Sequence, residues 1–171
     1  MERVAMGKIV IRDDCLAPGR YVYLDYHGKN PFGVVKKISD DIGEFFKVTN
    51  SQWGEDDFRW DNSDDPAKFY ARYWVKKDIG GKYTHIRFRI RVQGQESQTT
   101  KEGLFTLELT GRVVTEFEAR NIFLRTFWWI YSYLFYDRRR RTFIEFCQDY
   151  FQRFRTMVKE HYNLGTMERS K

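Results

Sequence analysis

Three arginines alternate along one segment of the sequence and have the spacing of an anion-binding face. The segment THIRFRIRV places Arg87, Arg89 and Arg91 at every second position. Alternate side chains of a β-strand leave the same face, so their guanidinium groups would lie about 7 Å apart. Such a face suits phosphates of nucleic acid or of lipid headgroups. The alternative is a solvated face whose arginines pair with carboxylates on neighbouring strands. The candidate carboxylates are Glu108, Glu116 and Glu118.

Four consecutive arginines form a second candidate anion-binding site. They are Arg138, Arg139, Arg140 and Arg141, at the start of a predicted C-terminal helix. Cations there face the positive end of the helix macrodipole, which costs up to about 1 kcal/mol each, so we expect a compensating anion. Nucleic-acid backbone and an anionic membrane surface are the external candidates. The intramolecular candidate is the acidic segment 55–65, EDDFRWDNSDD.

The sequence names no metal site, cofactor or catalytic residue. His27, His85 and His161 are widely separated and show no ligand spacing. Cys15 and Cys147 belong to no Cys-x-x-Cys pair, so we expect no zinc ribbon, no iron–sulfur cluster and no disulfide framework. No phosphate-cradling glycine loop or nucleophile elbow occurs. These patterns favour a binding protein over an enzyme.

Composition predicts one folded domain spanning residues 1–171. The 171 residues include 30 Lys and Arg, 24 Asp and Glu, and 18% aromatic residues, with a net charge of +6. A chain of this length buries roughly 70% of its unfolded surface, so it needs no cross-links to hold a core. The basic groups are concentrated in the second half, which favours a partner with negative charge.

The apolar run 122–136, IFLRTFWWIYSYLFY, is too short to cross a membrane. Fifteen helical residues rise about 22 Å against a hydrocarbon core of about 30 Å, and Arg125 lies inside the run. We therefore predict no transmembrane segment and interpret the run as a strand. With no signal peptide recognised near Met1 and no expected disulfide, the predicted location is cytoplasmic. Peripheral attachment to an anionic membrane is the alternative.

The elements that must position these residues follow from the spacing of apolar residues. A period of two predicts early strands at 8–13 and 20–26, the second being either an extra strand or a continuation of the first. Asn30 and Pro31 begin a helical pattern that extends to Phe46, as one broken helix or two. Five later segments alternate like the strands of an antiparallel meander. They are residues 68–77, 82–92, 99–110, 112–119 and 122–136. Apolar residues three or four apart predict one long helix over 137–163.

This order of elements resembles the START-like helix-grip superfamily, which includes lipid-transfer domains, polyketide cyclases and plant pathogenesis-related proteins. The resemblance covers most of the chain and is one of order and periodicity, because the superfamily has no short signature motif. It implies an α+β fold in which a curved antiparallel sheet of about six to seven strands grips a long C-terminal helix. One or two short helices would follow the N-terminal strand or strands.

The resemblance also implies a cavity between the sheet and the C-terminal helix for an apolar or amphipathic molecule such as a lipid, sterol or polyketide. Aromatic residues on both faces of several strands are compatible with this, although they could equally fill a solid core. The candidate cavity residues are Tyr73, Phe88, Phe127, Trp129, Tyr131, Tyr133, Phe143, Tyr150 and Phe154. Binding of such a molecule is the leading functional expectation. The alternative is a nucleic-acid-binding module that uses the Arg87, Arg89 and Arg91 face together with the Arg138 to Arg141 run.

Overall fold

Six antiparallel strands and two helices make up the described part of the protein. The structure, a computed structural model, describes residues 7–79, 81, 83–119, 130 and 137–164. The strands are β1 (Gly7–Asp14), β2 (Val22–Lys29), β3 (Trp53–Asp61), β4 (Ala67–Asp78), β5 (Thr84–Glu96) and β6 (Glu102–Ala119). The helices are α1 (Gly33–Phe46) and α2 (Asp137–His161). The predicted α+β fold, with an antiparallel sheet and a long C-terminal helix, is confirmed.

Strand β6 is the longest of the described strands, and both N-terminal strands, β1 and β2, pair with it. The sheet order is β1-β6-β5-β4-β3, and β2 also pairs with β6. Strand β2 pairs with the first part of β6, up to Leu109, whereas β1 pairs with the last part, from Arg112. Strands β1 and β2 therefore lie end to end along one edge of β6. This arrangement is the predicted continuation of one long, interrupted first strand.

Two strands predicted on either side of Gly111 are a single strand. Pairing with β5 runs without a break from Gly103 to Thr115, and Gly111 lies opposite Phe88 within it. The glycine is needed for another reason: a Cβ at this position would lie 2.7 Å from Cζ of Phe151 and 3.2 Å from Sγ of Cys147 on helix α2. The predicted division into strands 99–110 and 112–119 was wrong, because the glycine permits helix packing and does not interrupt the strand.

Most of the acidic segment 55–65 belongs to a strand. Strand β3 pairs with β4 along its whole length, with one register shift between Glu55 and Asp57. The rings of Phe58 and Trp60 pack near Phe32, at centroid distances of 6.3 Å and 4.5 Å. Backbone pairing with β4 places this charged segment in the sheet, and these partly exposed rings add apolar contacts on alternate residues.

Helix α1 is one continuous helix and packs on one face of the sheet. Its buried residues, Val34, Val35, Ile38, Ile42 and Phe46, repeat at helical spacing. The predicted cap at Asn30 is not made: the N-cap is Phe32, with no side-chain cap hydrogen bond. Ser39 lies in mid-helix, where its hydroxyl is 3.1 Å from the hydroxyl of Tyr73 on β4.

Helix α2 crosses the same face and runs antiparallel to β6. Near its start, Arg140 pairs with Asp13 at the end of β1. Further along, Phe151 packs edge-on against Phe88, with ring centroids 5.4 Å apart. Beyond its end, the ring of Tyr162 lies 5.3 Å from that of Phe105, near the start of β6. We call the face covered by α1 and α2 the inner face of the sheet and the opposite one the outer face.

A disulfide bond joins the N-terminal strand to helix α2, where the sequence predicted no disulfide. Cys15 follows β1, and its sulfur is bonded to that of Cys147, with Cα atoms 6.0 Å apart. Both side chains are fully buried, and the Cys15 amide donates to the carbonyl of Gly111 at 3.1 Å. The pair was missed because 132 positions separate the cysteines and only the tertiary fold brings them together. A reducing, cytoplasmic environment was inferred partly from the absence of a disulfide, and it stays a prediction.

Reducing this disulfide should lower the free energy of unfolding. The bond closes a loop of 132 residues, and loops of this size gain about 2 to 5 kcal/mol from cross-linking. We expect urea denaturation with a thiol reductant to give a lower transition midpoint than without it. The double variant Cys15→Ala, Cys147→Ala should match the reduced protein and be insensitive to reductant. Equal midpoints for oxidised and reduced wild type would contradict the cross-link.

Candidate anion-binding site

The outer face of the sheet contains a cleft of about 460 Å³ with a cationic lining. Its charged wall comes from four strands, because β1, β4, β5 and β6 each direct alternate side chains to this face. We call it the cationic cleft and define it by Arg12, Trp74, Lys76, Arg87, Arg89 and Arg112. Its volume falls in the range of about 300 to 1,000 Å³ that is typical of small-molecule sites.

Three of these cations are direct neighbours across the sheet. Lys76 on β4 pairs in register with Arg87 on β5, and Arg87 pairs with Arg112 on β6. Residues directly opposite each other on antiparallel strands have Cβ atoms about 5 Å apart, and like charges at these positions destabilise the sheet. We call Lys76, Arg87 and Arg112 the cationic row. Arg12 extends it diagonally, since its partner Val114 lies two residues beyond Arg112.

The cationic row has no carboxylate partner within the described part of the chain. The described lining of the cleft includes one carboxylate, Asp56, whose Oδ2 atom lies 3.4 Å from Nε of Arg72. Asp14, directly opposite Arg112, accepts a hydrogen bond at 3.0 Å from the amide of Leu16. Among the described residues, no carboxylate lies within ion-pair distance of the row, although that of Asp14 is its nearest cross-strand neighbour.

A neighbouring cation pair on the same face is balanced by carboxylates. Arg72 lies directly opposite Arg91. Arg91 forms an ion pair with the buried carboxylate of Glu108, and Arg72 lies beside Asp56. Within the described residues, the sheet thus gives both arginines of this facing pair a carboxylate within ion-pair distance, but gives none to the next cations along the strands.

His85 holds the Arg87 side chain in place. Nε of Arg87 donates a hydrogen bond to Nε2 of His85 at 3.2 Å, so this histidine nitrogen carries no proton. The terminal nitrogens of Arg87 have no partner among the described side chains. A guanidinium fixed at Nε, with its two terminal NH2 groups free, can donate hydrogen bonds to two oxygens of one anion.

Burial lowers the pKa of His85 below its ordinary value of 6.5. The side chain is only 6% exposed, and removal from water disfavours the imidazolium. The nearby positive charges of Lys76 and Arg87 lower the pKa further, while the carboxylates of Glu116 and Asp78 act in the opposite direction. The neutral imidazole is therefore the form that accepts the hydrogen bond from Arg87 at neutral pH.

The structure divides the predicted arginine face in two. Arg87 and Arg89 line the cleft, whereas Arg91 forms the ion pair with Glu108 that the solvated-face alternative expected. The residues that sequence analysis missed are Arg12, Trp74, Lys76 and Arg112. None of these residues belongs to a repeating pattern in the sequence, so no local spacing links it to Arg87. The strand register brings them together.

The arginine run at the start of α2 has a different intramolecular partner from the one predicted. Arg140 pairs with Asp13 on β1, not with the acidic segment 55–65. Much of the acidic segment belongs to β3, which lies at the opposite edge of the described sheet from β1. Arg138, Arg139 and Arg141 are exposed. Their binding to an external anion stays a prediction.

The described aromatic residues predicted to line an apolar cavity pack closely on the inner face. Tyr73, Phe88, Tyr150 and Phe154 are buried, and Phe143 is partly buried against the same core. Phe46 of α1 fills the space among them, with its ring 4.7 Å from Phe88 and 5.5 Å from Tyr150. Burial raises the pKa of Tyr73 to about 12, and its hydroxyl bonds to α1. The remaining candidates, Phe127, Trp129, Tyr131 and Tyr133, lie outside the described residues.

The predicted strand at 122–136 also falls almost entirely outside the described residues. Ile130 alone is described there, and it has helical backbone and is exposed. Among the helices that the structure describes, none is long and apolar enough to span a membrane.

Comparisons with known proteins do not place the chain in a family. No family profile and no curated protein matches it. A protein of unknown function, SA2116 from Staphylococcus aureus, is a solved structure with 10% identity, covering 95% of this chain and 96% of its own, at a TM-score of 0.27. A putative uncharacterized protein from Rhizobium leguminosarum has 11% identity, with 64% of this chain and 82% of its own covered, at a TM-score of 0.18. Similarity this low carries no functional argument.

The buried histidine should make stability depend on pH. Because the pKa of His85 is lowered in the folded protein, the unfolded chain binds more protons as the pH falls through 6.5. The free energy of unfolding should therefore decrease between about pH 7.5 and pH 5. Denaturant unfolding of wild type and His85→Gln across this range measures the effect, and the variant should show the weaker dependence. The same pH dependence in both proteins would contradict the assignment.

Proposed function

We propose that this protein binds a phosphate-bearing anion in the cationic cleft. The observation that carries the proposal is the cationic row, in which Lys76, Arg87 and Arg112 face one another across three strands with no carboxylate partner among the described residues. An anion bound there replaces mutual repulsion with attraction. Phosphate suits the site because arginine N–H groups match its oxygens in pairs.

The scaffold supports this function by holding the cations in place before a ligand arrives. The row lies on β4, β5 and β6, which are interior strands of the described sheet, and Arg87 is fixed by His85. Binding then requires little ordering of the Arg87 side chain, which reduces its entropic cost. The repulsion within the row is a small cost to folding, a few tenths to about 1 kcal/mol for each facing pair, which ligand binding offsets.

A second proposal follows from the resemblance to helix-grip proteins. In it, an apolar molecule binds between the sheet and α2, as in START-like domains. The position of α2 across the inner face supports it, since this is the site at which such proteins hold their ligands. A ligand would have to displace or bypass the packed rings of Phe46, Phe88 and Tyr150.

Native mass spectrometry of the freshly purified protein tests the apolar-ligand proposal. A bound lipid or other apolar molecule would give a stable increase in mass and appear in an organic extract of the same sample. A mass equal to that of the chain alone, even after incubation with mixed lipids, would remove the proposal.

Removing one arginine of the cationic row should weaken phosphate binding. We expect Arg87→Gln and Arg112→Gln each to lower the affinity for inorganic pyrophosphate by about tenfold to a hundredfold, because each variant loses a charge-assisted hydrogen bond. Titration calorimetry at low ionic strength measures this affinity. The free energy of unfolding without ligand should change by less than about 1 kcal/mol in both variants, because relieved repulsion within the row offsets the lost interactions of Arg87 with His85 and of Arg112 with Asp14.

Arg91→Gln is the matched control, because Arg91 lies on the same strand and face but pairs with Glu108. This variant should retain pyrophosphate affinity and lose stability, since the buried carboxylate of Glu108 would keep its charge without its partner. If wild type binds no pyrophosphate, or if Arg91→Gln weakens binding as much as Arg87→Gln, the cationic row is not the binding site.

A further inference from the structure

The cationic cleft has a flat aromatic side wall beside its charged row. Trp74 lines the cleft from β4 and lies directly opposite Gly54 on β3. A Cβ at Gly54 would lie 3.0 Å from Nε1 of the indole, 3.2 Å from Cε2 and 3.3 Å from Cζ2. The indole therefore lies over the glycine backbone, which supports it from one side. A ring supported in this way is held rigidly enough to stack on a flat ligand.

The strand register sets the distance between this ring and the cationic row. Trp74 lies directly opposite Arg89, and Lys76 and Arg87 form the next same-face pair along the two strands. Neighbouring strands are about 4.8 Å apart, so Arg112 on β6 lies about 10 Å across the sheet from the strand of Trp74. A ligand that used both ends of the cleft would carry a planar ring at one end and an anionic group several bonds away.

We propose that the cationic cleft takes a nucleotide-like ligand, in which a planar heterocycle stacks on Trp74 and the phosphate binds the cationic row. This inference rests on the proposed anion-binding function and names the class of anion. Arg89 lies between the two ends, where it can contact either the ring or the linking group. The volume of about 460 Å³ falls in the range of sites for small molecules, such as a single nucleotide.

The role of Trp74 as a stacking surface is separable from its role as a cover for Gly54. Trp74→Leu keeps an apolar side chain over the glycine but removes the flat ring. Trp74→Phe keeps a ring and so retains stacking. Tyr70→Leu is the matched control, because Tyr70 is on the same strand and the same face but contacts Arg59 and does not line the cleft.

The test is titration calorimetry of the full chain with adenosine monophosphate, adenosine and inorganic phosphate. We expect wild type to bind adenosine monophosphate about tenfold more tightly than phosphate, as the gain from one base stacked on an aromatic side chain. Trp74→Leu should remove this gain and leave phosphate affinity unchanged, while Trp74→Phe and Tyr70→Leu should retain it. Arg87→Gln should weaken both phosphate-containing ligands.

The outcomes separate this inference from the function on which it rests. Equal affinity for phosphate and adenosine monophosphate would overturn the nucleotide assignment and leave anion binding intact. No binding of either would overturn both. A single-stranded oligonucleotide of about eight residues that binds more than about a hundredfold more tightly than the mononucleotide would also overturn the assignment, in favour of a nucleic-acid strand.

Discussion

Close approach between helix α2 and strand β6 is the constraint on which the rest of the structure depends. It occurs at Gly111, where the absence of a side chain lets Phe151 and Cys147 reach the strand backbone. The disulfide to Cys15 fixes the helix at the same level and ties the end of β1 to it. Because β6 also pairs with β1, β2 and β5, this contact sets the position of the helix relative to most of the sheet.

The two faces of the sheet solve different physical problems. On the inner face, packed rings and aliphatic side chains remove apolar surface from water, which supplies most of the stability. On the outer face, the facing cations of the cationic row form no ion pair with a described carboxylate, whereas the adjacent Arg72 and Arg91 lie beside Asp56 and Glu108. Repulsion between the facing cations of the row lowers stability at this place, a cost of the kind that proteins commonly carry at binding sites.

Sequence reasoning succeeded where the information is local. Alternation predicted the arginine strand, and helical spacing predicted α2, because each pattern lies within one element. The cationic row was not predictable in this way, since Lys76, Arg87 and Arg112 lie on three strands and meet only through register. The predicted strand boundary at Gly111 was wrong because the residues that pack against this glycine lie on a distant helix, which local spacing does not reveal. The Cys15–Cys147 bond was missed for the same reason: proximity across 132 positions is a property of the whole fold.

The described edge strand of the sheet carries mostly negative charge. Strand β3 carries Glu55, Asp56, Asp57 and Asp61 against one Arg59, and it ends the described sheet on the side nearest Trp74. Like charges at a sheet edge discourage pairing with a strand of another chain. The same charges create a gradient of electrostatic potential from a negative rim to a positive centre. The β3 edge is therefore unfavourable both for pairing with another strand and for the approach of an anion.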